Sequence, residues 1–436
     1  MVRRFTSFRE LIAAQNPENA AFGYFEGNVR KLLTFGEVLN RIDTYPLPDE
    51  DVIGILCDNG IASVIAMLAL AGKKQLVLLN PMDEPRVLAG EIRTARVSKL
   101  IGTLPEGLEL PPHEKGTAVS ADILFFTSGT TARNKAVVLD EKRLCSAVYN
   151  GGSLLPLSGS DSLLSVLPHA HVFGFVCSLL WPLSFGARVD LGRGLRSVFF
   201  DFTEFRPTVT SLVPEMAAFL GAKKLFNPEL KLILIGAGSC SDQVVAMLKA
   251  MGIRVSCGYG LTESSSGIAL SLGDDPRAMT VCPDYGVIIE ADGEITVTSD
   301  TTLMKGYFED EAATREVLKG NRLFTGDLGR LEDGKLFITG RKKDILVFSD
   351  GTKIFLPDYE EHLRSFLGRE SDFAVFQLKS GSLGLAVVKP KEAQAAVDAF
   401  NTEYPRGQRI SRIFYFDELP KTSTGKIKRY DIIAGE

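Results

Sequence analysis

The sequence predicts an α/β protein. A large N-terminal part would hold mostly parallel sheets covered by helices, with a small β-barrel-like section, and a small mobile α+β domain would close the chain. Three observations carry this. Fully apolar runs alternate with helical stretches up to about residue 280. Short alternating strands with Gly and Asp turns follow Thr280. Beyond Asp344 the pattern reads strand, helix, strand, strand, helix, strand. In order, Val52-Ile53-Gly54-Ile55-Leu56-Cys57 is a buried strand, Ala62 to Ala71 a helix and Gln75 to Leu79 a second strand. Leu230 to Ile235 is a strand, Ser241 caps a helix that stops at Gly252, and Arg254 to Cys257 resumes as a strand. The antiparallel section comprises Gly286–Glu290, Glu294–Thr298 and Lys335–Thr339. The charged run Gly340-Arg341-Lys342-Lys343-Asp344 marks the boundary between an N-terminal domain, 1–342, and a C-terminal lid, 343–436.

The 436 residues suit two or three structural units, and 45% apolar with 24% charged residues is the balance of a globular protein. A net charge of −5 argues against a chain built to grip nucleic acid or anionic lipid. Six cysteines without a C-x-x-C pair read as reduced, mostly buried thiols of a cytoplasmic protein. Ser162 to Ala187 carries no charged residue, yet Pro168, Gly174, Pro182 and Gly186 interrupt it, so no membrane span is expected.

Four segments carry chemistry. In Ile123-Leu124-Phe125-Phe126-Thr127-Ser128-Gly129-Thr130-Thr131-Ala132-Arg133-Asn134-Lys135-Ala136, an apolar strand runs into a loop of hydroxyls, glycine and one lysine. Such a loop can surround phosphate oxygens with N–H groups, hydroxyls and an ammonium, or it can be a hydroxyl-rich hairpin turn. It is not a Walker A loop, because the second Gly and the Ser/Thr after Lys are missing. Gly258-Tyr259-Gly260-Leu261-Thr262-Glu263 reads as a Gly-rich turn after a strand. Its tyrosine could lie on a flat base, and its threonine and glutamate suit a phosphate and Mg²⁺. Gly236-Ala237-Gly238 is only a fragment of a dinucleotide fingerprint, since Ser241 holds the last glycine's place. Asp327, in Phe324-Thr325-Gly326-Asp327, can accept both hydroxyls of a ribose, and Arg341 can donate to the same sugar or to a phosphate. Lys426 stands in Pro420-Lys421-Thr422-Ser423-Thr424-Gly425-Lys426, which alone would read as a solvated basic tail.

Together and in this order, the four segments resemble the signatures of the AMP-forming adenylating enzymes: acyl-CoA and aryl-CoA synthetases, firefly-type luciferases and peptide-synthetase adenylation domains. The resemblance runs from about Thr6 to the end. It implies that a carboxylate attacks the α-phosphate of ATP, giving an acyl-adenylate and pyrophosphate, and that a thiol then takes the acyl group. By the same resemblance, Thr127, Ser128, Gly129, Thr130, Thr131 and Lys135 hold the β- and γ-phosphates, and Tyr259 with Gly260 stacks on adenine, walled by Gly236, Ala237 and Gly238. Thr262 touches the α-phosphate, Glu263 holds Mg²⁺, Asp327 and Arg341 bind ribose, and Lys426 bridges carboxylate and α-phosphate. Lys343 matches the family's hinge, and His171, in Leu167-Pro168-His169-Ala170-His171-Val172-Phe173-Gly174, falls at the mouth of the acyl pocket.

The chain departs from the family at Ala132, Asn134 and Ala136, where Gly, Pro and Gly are usual. Alanine replaces glycine only where φ stays negative. Amino-acid-activating members of the family keep an aspartate in this region for the substrate ammonium; Ser162 to Arg188 holds no carboxylate, so the resemblance implies an uncharged acid tail, fatty or aryl. His169 and His171 are read as pocket wall rather than metal ligands. The acceptor is CoA, or the phosphopantetheine of an acyl carrier protein. A luciferase-like oxygenation and a nucleotide sensor without turnover are more distant readings, and the lack of G-x-S-x-G disfavours a serine hydrolase.

Overall fold

The computed structural model describes residues 2–108, 116–118, 120–127, 134–194, 197–348, 352–368, 371–388, 393–421, 427 and 429–434. They group into two compact units. The first is drawn from Met1–Thr127, Lys135–Thr325 and Arg330–Phe337; the second is drawn chiefly from Gly326–Gly329 and Ile338–Glu436.

The first unit holds two sheets whose central strands are apolar on both faces, as helix-covered parallel strands must be. The smaller runs in the order Gly306–Tyr307, Ala136–Leu139, Ile123–Phe126, Gln75–Leu79, Val52–Leu56, Lys99–Ile101. Its last four strands are parallel, and Ala136–Leu139 returns antiparallel to Ile123–Phe126. Helices Ile61–Leu70 and Pro85–Thr94 supply the crossovers, and Val77, Leu79, Leu88, Ile92 and Leu124 pack between the sheet and Pro85–Thr94. In the larger sheet, strands Ala20–Glu26, Arg188–Leu191, Ser162–Ser165, Val209–Leu212, Leu232–Ile235 and Arg254–Leu261 are parallel neighbours in that order. The antiparallel strands Ser266–Ser271 and Met279–Val281 continue it.

Local chemistry sets the helix starts. Thr34 and Glu37 form a reciprocal capping box. Ser241 accepts from the Val244 N–H and begins Asp242–Ala250, the cap role expected of it. Ser162 to Ala187 resolves into the strand Ser162–Ser165 and short helical turns through Ser184, one of them the π-turn Val176–Leu180. Among the described residues, no helix is long and apolar enough to cross a membrane.

The second unit has a hairpin, Ile345–Val347 with Lys353–Phe355. Helix Leu356–Leu367 then leads into the sheet Phe373–Gln377, Leu383–Val388, Ile410–Phe416. Helix Ala393–Asn401 packs beside it through Val397 and Phe400. Glu360 anchors the C-terminal segment with a two-pronged bond from Arg429 at 2.8 and 2.6 Å, and accepts from the Val375 N–H at 2.7 Å.

One carboxylate ties three distant parts of the first unit. Asp284 accepts two bonds from Arg4 at 2.7 and 2.6 Å, and one each from Asn150 and Thr301 at 3.1 Å. The Arg4 bonds hold its carboxyl below the usual carboxylate range. The stability it contributes is therefore full above the unfolded carboxyl pKa and is lost as pH falls through the lower folded value. Asp284→Ala should lower stability by on the order of 2 kcal/mol at pH 7 and should flatten the acid limb of a stability–pH curve below about pH 4. Denaturant melts across pH check both effects.

Candidate active site

The site begins at the strand Arg254–Leu261. The Gly-Tyr-Gly segment, expected to be a turn, instead prolongs this strand. Its first half pairs in parallel with Leu232–Ile235, its second half antiparallel with Ser266–Ser271, and the register shifts between Tyr259 and Gly260. The strand continues because a new partner takes over its hydrogen bonds where the old one leaves. Gly260 is required there, since a Cβ would lie 1.7 Å from the Ser266 carbonyl oxygen. Tyr259 is buried within the strand. Thr262 and Glu263 follow in a single 3-10 turn.

That turn is strained and heavily braced. Ser265 and Ser266 both have positive φ, 55° and 103°. The Ser264 hydroxyl donates to the Ser266 and Leu261 carbonyls, Ser265 Oγ donates to the Thr302 carbonyl at 2.6 Å, and Tyr285 Oη donates to the Ser264 carbonyl at 2.6 Å. Backbone in such regions costs about 1–3 kcal/mol per residue and persists only where its surroundings over-determine it, as at functional sites.

Glu263 does not stand alone. Tyr307 Oη donates to its Oε1 at 2.7 Å, and the Lys135 ammonium lies 4.5 Å from the centre of the Tyr307 ring. Burial and the neighbouring Glu263 carboxylate push the Tyr307 hydroxyl pKa up, so it stays a donor. Strand Gly306–Tyr307 is the device that brings these groups together, pairing with Val137 and Val138 of the hairpin that carries Lys135. Lys305 secures it with bonds to Asp122 at 2.5 Å and Asp140 at 3.2 Å. Sequence reasoning missed Tyr307. Its one sign was an aromatic residue after glycine in Met304-Lys305-Gly306-Tyr307, which local patterning does not separate from a core residue.

Thr127 and Lys135 stand at the two ends of the connection between Ile123–Phe126 and Ala136–Leu139, where the Thr127 N–H donates to the Lys135 carbonyl at 3.0 Å. Ser128, Gly129, Thr130, Thr131 and Ala132 lie outside the described residues, as does Lys426. Ala136 is an ordinary strand residue opposite Phe126 without positive φ, so alanine replaces glycine there without strain.

Gly236, Ala237 and Gly238 follow the strand Leu232–Ile235, and Ala237 takes φ +64°. Phe173 lies against Gly236, with a ring carbon 2.7 Å from where a Cβ would be. His171 precedes the short helix Val172–Phe175. His169 is fully buried, its Nε2 paired with Ser165 Oγ at 2.9 Å, and burial lowers its pKa to about 4. A neutral, buried ring bonded to serine is a packed structural residue. In the second unit, Arg341 reaches the buried Asp327 at 2.7 Å, and Lys343 is exposed in the 3-10 turn Lys342–Asp344.

Fold and site define a two-unit α/β protein of the adenylating type, with a lysine-bearing hairpin beside a threonine–glutamate turn. The family model for AMP-binding enzymes matches residues 72–308, and the chain belongs to that family. Similar proteins include the indoleacetate–CoA ligase of Aromatoleum aromaticum, 28% identical over 71% of this chain and 66% of its own length. A long-chain-fatty-acid–CoA ligase, FadD13 of Mycobacterium tuberculosis, is 27% identical over 70% of this chain and 65% of its own length. The chain thus spans just under two thirds of these two relatives. It spans 91% of the 2-succinylbenzoate–CoA ligase of Lactococcus lactis, at 27% identity over 89% of this chain. The O-succinylbenzoate CoA synthetase of Bacillus subtilis bound to AMP shares the fold with a TM-score of 0.81 at 22% identity, covering 99% of this chain and 98% of that one.

Gly260→Ala should destabilise the protein by about 3 kcal/mol or more, since backbone rather than a flexible side chain meets the new methyl. A thermal melt beside Gly267→Ala, whose Cβ meets nothing within 4 Å, reads the difference.

Proposed function

We propose that the protein is an AMP-forming acid–CoA ligase: it activates an uncharged fatty or aryl carboxylic acid to an acyl-adenylate, releasing pyrophosphate, and passes the acyl group to CoA. The observation that carries this reading is the convergence of Lys135, Tyr307 and Glu263, a cation and a hydrogen-bonded carboxylate at adjoining loops. Family membership supports it. The names of the relatives, all CoA ligases, favour CoA over a carrier protein as acceptor.

A half-buried carboxylate next to the Thr262 hydroxyl fits Mg²⁺, which is commonly held by one or two carboxylates plus substrate phosphates. Magnesium at Glu263 would neutralise phosphate charge. Lys135 and the hydroxyls of 127–131 take the β- and γ-phosphates. Tyr259 faces adenine, with 236–238 on its other side. Asp327 accepts from the ribose hydroxyls while Arg341 holds that carboxylate in place. Tyr307 fixes Glu263 through its hydrogen bond and lends a π face to Lys135, so both charges are oriented before substrate arrives. Two anions, carboxylate and triphosphate, must meet, so catalysis is mainly positioning and charge neutralisation. Lys426 supplies the last cation, between the two reacting groups. Residues 343–436 act as a lid that turns about Lys343 after adenylation, withdrawing Lys426 and admitting the thiol.

Carboxylate-dependent ATP–pyrophosphate exchange, over fatty acids of graded length and a set of benzoates and cinnamates, tests the reading. Exchange with one group is expected, reduced about 10²–10³-fold in Lys426→Ala. ATP binding without exchange on any acid would instead favour a nucleotide sensor. Tyr307→Phe should weaken Mg²⁺-dependent ATP binding by about tenfold, the worth of one charge-assisted hydrogen bond, and should leave metal-free binding nearly unchanged. Calorimetry with and without Mg²⁺ separates the two. Lys343→Pro should keep exchange and lose thioester formation; a variant making thioester at full rate would remove the hinge.

A further inference from the structure

The hairpin that carries Lys135 is held at its base as well as near its tip. Ile123 pairs with Leu139 as the rung farthest from Lys135, so Asp122 and Asp140 flank that rung on either strand. Both carboxylates accept from one ammonium, that of Lys305, at 2.5 and 3.2 Å. Asp122 is buried, and its second oxygen accepts from the Ser120 hydroxyl at 2.6 Å. Asp140 also caps helix Glu141–Leu154, accepting from the Arg143 N–H at 2.9 Å. Two carboxylates on one ammonium repel each other once it is removed, so Lys305 is a clasp across the hairpin base.

The segment around Lys305 is bonded on its other side to the turn that carries Glu263. The Met304 N–H donates to the Glu263 carbonyl at 2.8 Å, and Ser265 Oγ donates to the Thr302 carbonyl at 2.6 Å. Toward the hairpin, the Lys305 N–H donates to the Val138 carbonyl at 2.9 Å and the Phe308 N–H to the Ala136 carbonyl at 2.8 Å. Arg143 Nε donates to the Leu303 carbonyl at 2.7 Å and holds the segment from a third direction. We propose that Lys305 is a positioning residue that sets the separation of Glu263 and Lys135 and thereby favours a magnesium-bound nucleoside triphosphate over a monophosphate. The inference rests on the nucleotide reading above. Lys305 acts through Tyr307, whose hydroxyl bonds Glu263 and whose ring faces Lys135. A monophosphate has no β- and γ-phosphates to span those two groups, so its binding is indifferent to their spacing.

Calorimetry of the full-length protein with Mg-ATP and with AMP tests the assignment. Lys305→Met keeps the aliphatic stem and removes the ammonium. Its Mg-ATP affinity should fall about tenfold, within the range by which bonded networks couple groups that do not touch, while AMP affinity stays within about twofold. Lys305→Arg, whose guanidinium can still bridge two carboxylates, should recover most of the loss. Asp122→Asn should weaken Mg-ATP in the same way and add little to Lys305→Met, since both changes open one clasp. It also carries the comparison if Lys305→Met does not fold. Asp284→Ala controls for stability alone: it loosens the same unit away from the clasp and should leave the ratio of the two affinities unchanged. Amide exchange at 136–139 and 304–308 should quicken in Lys305→Met but not in Asp284→Ala. Equal losses of ATP and AMP in Lys305→Met, or a lower melting temperature with an unchanged ratio, overturn the proposal while the nucleotide reading stands. An unaltered protein that binds neither nucleotide overturns both.

Discussion

The strand Arg254–Leu261 changes partners halfway along, and the candidate site depends on that exchange. Parallel pairing to Leu232–Ile235 buries Val255 and Cys257 in the core. Antiparallel pairing to Ser266–Ser271 then carries the chain outward to Thr262 and Glu263. Backbone hydrogen bonds must be satisfied throughout, so the crossover tolerates no side chain at Gly260, where the Ser266 carbonyl already occupies the Cβ position. The two positive-φ serines that follow are the local cost of the sharp return, offset by bonds from Ser264, Ser265 and Tyr285.

A second constraint acts from the other sheet. The two-residue strand Gly306–Tyr307 joins the edge of the hairpin that carries Lys135, so one phenol bonds Glu263 and presents its ring to the lysine. In a direct Lys–Glu pair each charge would be spent on the other. An intervening phenol keeps both charges available and fixes their distance. Lys305 holds that short strand against Asp122 and Asp140, so ion pairs reinforce an element of only two residues.

Ala136 sits in an extended strand where glycine has no advantage. Asp327 keeps a guanidinium partner, Arg341, within its own unit. The buried His169 is neutral and spent on Ser165, so the segment before His171 is held by packing and by Asn59, which accepts from the His169 N–H and donates to the Leu167 carbonyl.

Much of this was legible from local chemistry. Apolar runs such as Val52–Leu56 and Leu232–Ile235 announce strands buried on both faces, and Ser241 announces a helix start, because periodicity and capping are properties of neighbouring residues. The order of four motifs sufficed to identify the family. Contacts between residues far apart in sequence were decided only by the tertiary structure: the partner exchange that makes Gly-Tyr-Gly a strand, and the Tyr307 bond to Glu263 across 44 positions. Such contacts depend on which strand edges lie side by side, and strand neighbours are chosen by the packing of whole sheets, a quantity no local window contains.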